Sequence, residues 1–244
     1  MLKNRKGLLA GIGVAALSLL ATVVTAVGPA KAAANCEPFT SYKGLKGKTV
    51  TIFTSILEPE LTTLNTAMAD FQTCTGVKIK IEGSNQFEAL LPVRVKGGNA
   101  PDLAWIPQPG LLAKMVATGK VVPAPASVLA NVNKYWSKSW KDLGSVNGKF
   151  YAAPFGSNMK SLVWYSPKQF KANGYTVPTT WDEMTALADK MAANKQIAFC
   201  GGLGSGGATG WPATDWVEQI VLREYGSTVY NDWVSHKVTF SDPK

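Results

Sequence analysis

Four hydroxyl or amide side chains fall where an α/β chain would gather them: Ser55, Ser84, Gln86 and Gln108. Each follows a short apolar run, and in an open parallel sheet ligands sit in the crevice outside the carboxyl ends of the strands. Ser55 comes with Ile56 and Leu57, Ser84 and Gln86 flank Asn85, and Gln108 lies between Pro107 and Pro109. These groups donate and accept hydrogen bonds without carrying charge, which suits a neutral ligand rich in hydroxyls. Ser84 and Asn85 also have a plainer use as helix caps, and Asn85 with Glu88 has the spacing of a capping pair. A second group sits in CGGLGSGGATGWPATDW, residues 200–216. Trp211 before Pro212 offers a flat ring for the C–H face of a sugar, and Asp215 can accept hydroxyl protons. A core position for Trp211 and a first-turn helix charge for Asp215 stand beside that reading.

The groups used for turnover are sparse. His236 is the only histidine, and no GxSxG occurs. A Ser-His-Asp triad and a multi-histidine metal site therefore lack support. No two carboxylates are marked out by spacing for glycoside hydrolysis. Gly202, Gly204 and Gly207 spell GxGxxG between an expected strand and helix. That motif needs a first strand before it and an acid-ended strand about 20 residues later, and neither is present. The glycines read better as a loop whose backbone comes close to a ligand. Binding rather than catalysis is expected, with no cofactor and no metal.

The elements that position these residues follow from patterning. Residues 49–54 (TVTIFT) and 102–106 (DLAWI) are short apolar strands, and 77–82 (VKIKIE) alternates as a strand with one wet face. Pro59, between Glu58 and Glu60, opens a helix with Leu61, Leu64, Met68 and Phe71 on one face, which Gly76 closes. Phe87, Leu90 and Leu91 begin a second helix ended by Gly97 and Gly98, and 110–118 is a third, with Val121 and Val122 extended beyond it. The order β-α-β-α-β-α implies a mainly parallel sheet covered on both faces. Asn147-Gly148 between apolar pairs signals a β-hairpin. Pro154 stops that run, 156–158 is polar and flexible, and 162–165 (LVWY) reads as a new strand. Residues 148–167 are thus expected to cross between two lobes, with an ordinary loop as the alternative. Beyond them a short helix runs from Pro167 to Asn173, and Thr180 with Glu183 forms a capping box. Met184, Leu187, Ala188 and Met191 form a buried stripe, 197–199 is a short strand, and Val217, Ile220 and Val221 face inward from a last helix.

The start of the chain reads as a secretory signal over residues 1–34: a basic opening, an uncharged Leu- and Ala-rich stretch, and the small-x-small site Ala30-Lys31-Ala32. An uncleaved anchor and a lipoprotein cysteine at Cys36 are weaker readings. The protein is thus expected outside the cytoplasm, in the periplasm or on the outer face of the membrane. Of 25 Lys and Arg, four lie in that signal, leaving 21 against 16 Asp and Glu, a net +5. Arg94 and Arg223 are the only arginines left and the lysines are dispersed, so no nucleic-acid partner is expected. Of three cysteines, Cys36 and Cys74 are expected to pair and tie the N-terminus to the first helix, with free buried thiols as the competing reading.

Four stretches resemble the extracellular solute-binding proteins of ABC importers, in the group that binds maltose and α-glucosides. They are GGNAPDLAWIPQPGLLAKM (97–115), NGKFYAAPFGSNMKSLVWYSP (147–167), TTWDEMTALADKM (179–191) and GSGGATGWPATDW (204–216). The resemblance runs from about residue 48 to residue 244. It implies the two-lobed α/β fold of type II periplasmic binding proteins, with lobes over residues 35–156 and 157–244 and the second incomplete. It implies a monomer that closes over a neutral sugar and presents it to a membrane permease and its ATPase. The site it implies takes Ser55, Ser84, Gln86 and Gln108 from the first lobe. Asn158 lies at the crossing, where maltose binders carry an acid, and Thr209, Trp211 and Asp215 come from the second lobe. Ala208 falls near the stacking tyrosine of maltose binders. The competing functions are a binder of polyamine, iron or an oxyanion, and an extracytoplasmic carbohydrate-active enzyme.

Overall fold

The computed structural model describes residues 34–42 and 44–243, so the expected signal lies, but for Ala34, outside the described residues. The fold is organised on β1 (Thr49–Thr54), whose second half is buried at Ile52, Phe53 and Thr54. The chain leaves it through α1 (Glu60–Ala67) and α2 (Ala69–Thr75) and returns as β2 (Lys78–Gly83). It continues through α3 (Phe87–Lys96), β3 (Leu103–Trp105) and α4 (Pro109–Ala117). β1 pairs in parallel with β2 from Thr49 opposite Lys78 to Thr54 opposite Gly83, and with β3 from Ile52 opposite Leu103 to Thr54 opposite Trp105. The strand order is β2-β1-β3. The chain passes from β1 to β2 on one side and then crosses over β1 to β3 on the other, the reversal of strand order beside which crevices form at the carboxyl ends.

Phe53, Phe87, Leu91, Leu111 and Met115 form the core, with Leu90, Val95, Ala104, Ile106 and Val121 packed around them. The Phe53 and Phe87 rings lie 4.9 Å apart. The Arg94 guanidinium sits 4.0 Å from the centre of the Phe53 ring and pairs with Glu82 through two hydrogen bonds. The bond from Arg94 holds the Glu82 carboxyl below the usual carboxylate range. The Asp102 carboxylate just before β3 accepts from the Thr51 amide (2.8 Å) and hydroxyl (2.7 Å), which ties the start of β3 to β1.

Local signals were accurate where the interaction is local. Gly76 ends α2 at φ 71°, as expected, although the helix expected over this stretch is divided at Met68. Glu58 accepts from the Thr62 amide and hydroxyl at the start of α1. Cys36 and Cys74 form a disulfide with 5.3 Å between their Cα atoms, and Phe39 and Tyr42 set their rings against Phe71 beside it. Cys200 is free and exposed. After α5 (Ala126–Tyr135) and α6 (Lys138–Leu143), the antiparallel pair β4 (Ser145–Val146) and β5 (Lys149–Phe150) forms the expected hairpin. Asn147 (φ 50°) and Gly148 (φ 76°) are both left-handed, as its two-residue turn requires.

After Phe150 the described residues contain helices but no strand: α7 (Pro167–Asn173), α8 (Trp181–Ala193) and α9 (Trp211–Val234). The expected strands at 162–165 and 197–199 are corrected to irregular chain. Neither run has a ladder partner, and an extended apolar segment is stabilised by its neighbours rather than by itself. Trp164 and Ile197 are 87% and 88% exposed. The two runs instead border a groove of about 510 Å³ with Phe170, Met184, Leu187 and Met191, so the stripe expected to be buried on α8 is half-buried. The Thr180 capping box forms as expected. Hydrogen bonds to Glu183, the strongest from the Thr179 amide, hold its carboxyl below the ordinary range. α9 starts at Trp211, earlier than its apolar stripe suggests, and breaks at Gly226 (φ 77°, ψ 174°).

Phe53→Ala costs about 3–5 kcal/mol in urea unfolding, whereas Thr180→Ala costs about 1 kcal/mol; equal effects would contradict a core centred on Phe53. Cys36→Ser costs about 2–4 kcal/mol under non-reducing conditions, and adding reductant removes the difference from the unsubstituted chain.

Candidate functional site

The carboxyl ends of β1, β2 and β3 carry the expected rim. Ser55 is exposed just past β1. The Ser84 amide donates to the Thr54 carbonyl (2.9 Å), which extends the β1–β2 ladder by one step. The Ser84 hydroxyl accepts from the Gln86 amide (3.1 Å), so Ser84 shapes the entry to α3. The expected capping pair of Asn85 and Glu88 does not form: Gln86 is the cap residue, with no side-chain cap bond. Glu88 instead accepts from Gln108 Nε2 at 2.8 Å. The rim read as uncharged therefore includes a carboxylate, which fixes Gln108 after β3 to the first turn of α3.

The glycine loop meets this rim. The Gly207 amide donates to the Asn85 carbonyl at 3.3 Å. A Cβ on Gly206, which lies at φ +52°, would stand 2.5 Å from that carbonyl oxygen; one on Gly207 would stand 3.0 Å from Gln86 Oε1. What needs these glycines is the backbone of Asn85 and the side chain of Gln86, where the sequence suggested a ligand. The Thr209 hydroxyl donates to the Gly206 carbonyl (2.8 Å) and accepts from the Ser205 amide (3.0 Å), so it holds the loop in shape.

Trp211 and Asp215 lie one helical turn apart on the same face at the start of α9. Sequence reasoning missed their partner. Lys160 Nζ lies 4.2 Å from the centre of the Trp211 ring and 3.9 Å from Asp215 Oδ2. Ser161, left-handed at φ 56°, donates its hydroxyl to the Asp215 carbonyl at 3.2 Å. Earlier in the same segment, Phe155 stacks on Trp105 at 4.4 Å and 15°. The segment from Phe155 to Ser161 is thus held at β3 and again at α9, with Asn158 exposed between. Ser84, Gln86 and Thr209 are linked through the contact of Asn85 with Gly207, and Trp211 and Asp215 through Lys160. Gln108 joins α3 through Glu88. No side-chain signal tied 160 to 211 or 155 to 105, since such long-range pairs leave no periodicity to read.

A family model described as bacterial extracellular solute-binding protein matches residues 56–244. The osmoprotective compounds-binding protein GgtB of Synechocystis is 40% identical over 196 residues, 80% of this chain and 47% of the relative. The alpha-glucosides-binding periplasmic protein AglE of Rhizobium meliloti is 38% identical over 257 aligned positions, 95% of this chain and 55% of the relative. The chain thus spans about half the length of the curated relatives it matches. Among solved structures, the bacterial solute receptor AcbH, with an exclusive preference for β-D-galactopyranose, superposes with a TM-score of 0.64 at 24% identity. That alignment covers 80% of this chain and 50% of AcbH, and it shows the fold: the two-lobed type II class of periplasmic binding proteins, of which this chain covers a part.

Gly206→Ala is expected to cost about 1–3 kcal/mol through its left-handed backbone and the clash with the Asn85 carbonyl. Gly204→Ala, with nothing within 4 Å of an added Cβ, changes stability by less than about 0.5 kcal/mol. Urea unfolding of the two variants checks the loop contact; indistinguishable midpoints would contradict it.

Proposed function

The chain belongs to the bacterial extracellular solute-binding proteins, and on that premise we propose that it is the ligand-binding component of a carbohydrate ABC importer. It binds a neutral sugar, in the first instance an α-glucoside, and releases it unaltered to a membrane permease driven by an ATPase. The lobes extend over residues 35–156 and 157–244, and a signal at residues 1–34 directs export. Ser55, Ser84, Gln86 and Gln108 supply hydroxyl and amide contacts, with Asn158 in the crossing. Trp211 stacks on the sugar's apolar face, and Asp215 accepts from its hydroxyls. Thr209 contributes by shaping the loop beside them.

The observation that carries this reading is the approach of the glycine loop to Asn85 and Gln86. It brings the segment leading into Trp211 against the rim that holds Ser84 and Gln86. Sugar sites in proteins combine an aromatic face with planar polar groups in this way, because each sugar ring has a C–H face and an edge of hydroxyls. The name of AglE, an α-glucosides-binding periplasmic protein, supports a hydroxyl-rich ligand, and that of GgtB, which binds osmoprotective compounds, supports a solute taken up from outside the cell.

Titration with a panel of α-glucosides (maltose, trehalose, sucrose), β-glucosides and polyols is expected to raise the melting temperature for at least one of them. A ligand at 100 times its Kd adds about 2.7 kcal/mol. Trp211→Ala weakens that binding about tenfold or more and removes part of the fluorescence change. Flat melting curves across the panel would overturn the sugar reading.

A further inference from the structure

Trp211 and Asp215 form an indole face with a carboxylate one turn along the same helix. In chemical terms this pair recognises an ammonium group: the ring quadrupole attracts a cation, and the carboxylate adds an ion pair. In the structure Lys160 fills that place, with its ammonium 4.2 Å from the ring centre and 3.9 Å from Asp215 Oδ2. We propose that Lys160 is a specificity-determining residue, a cation built into the chain that occupies the Trp211–Asp215 pair and excludes cationic ligands from it. The inference rests on the binding reading above and deepens it by stating which ligand charge the site rejects.

Three features make Lys160 more than a stray surface lysine. Ser161 adopts a left-handed backbone at φ 56°, a region that costs a non-glycine residue free energy and persists only where its surroundings impose it. The Ser161 hydroxyl binds the carbonyl of Asp215 itself, which fixes the residue after Lys160 against the same turn of α9. The side chains of Lys160 and Asp215 are 49% and 28% exposed, so the pair is partly shielded yet open to an incoming ligand. With Lys160 in place the pair is neutral overall. A sugar ring stacks on the face of the indole that Lys160 leaves free and meets no net charge, and its hydroxyls find an ammonium donor beside a carboxylate acceptor. An amine meets a like charge already in its seat, which is how specificity is obtained by repulsion.

The test is titration of the whole chain with choline and tetramethylammonium, read by intrinsic tryptophan fluorescence and calorimetry. Lys160→Met keeps the length of the stem and removes the charge. It is expected to bind choline about tenfold or more tightly than the unsubstituted chain, while Lys160→Arg rejects it as before. Adding Asp215→Asn to Lys160→Met abolishes the gain. Should Lys160→Met fail to fold, Lys160→Gln is titrated in its place and read in the same way. Equal choline binding with and without Lys160, or a gain that survives loss of the Asp215 charge, overturns the proposal. Because the probe is an ammonium ion and the comparison is between variants, a chain that binds no sugar can still show the gain. The two readings therefore fail separately.

Discussion

Everything in the first half of the chain depends on β1 having a hydrogen-bonded neighbour on each side. Its edges are filled by β2 and β3, and its interior residues Ile52, Phe53 and Thr54 are closed off from water. Over Ile52–Thr54, where both neighbours are paired, its backbone groups are taken up by the ladders, and the strand there can be covered only by apolar surface on both faces. On the face that carries Phe53 the helices supply that cover: Phe87 and Leu91 from α3, and Leu111 and Met115 from α4. The polar residues of the rim are then set by arithmetic. Each begins where a strand has run out of partners, so their separation follows the spacing of the sheet rather than any property of their own.

Much of this was legible. TVTIFT gave β1 residue for residue, and the Thr180 box, the Gly76 stop and the Asn147-Gly148 turn were each recognisable within a few residues of sequence. The last three are local interactions, in which the partner is never more than one turn away, whereas TVTIFT formed β1 because β2 and β3 were there to pair with it. The strands expected at 162–165 and 197–199 failed for the opposite reason. Composition alone marks a segment that would suit a pleated sheet, but pairing is a property of two segments, and in the described residues these two lie against helices instead.

The candidate site was half legible on the same principle. The polar rim and the Trp211–Asp215 pair could be named because strand ends and helix turns are visible in patterning. Glu88 on Gln108, Phe155 on Trp105 and Lys160 on Trp211 could not. Each of these joins positions that only the finished fold brings together. The glycine run shows the same limit in another form. Its composition announced that something must come close, and the fold supplied the answer in the backbone of Asn85 and the side-chain amide of Gln86.

The bridge between Cys36 and Cys74 has a mechanical side. Tension applied upstream of Cys36 would pass through the sulfur atoms into α2, the helix beside β2, and would leave the connection from Cys36 to β1 slack. The hydrogen-bond ladder of β1 would then not be unzipped from its end, and the strand on which the sheet is built would be spared the load. Covalent chemistry at the edge of the molecule thus acts as strain relief for its centre.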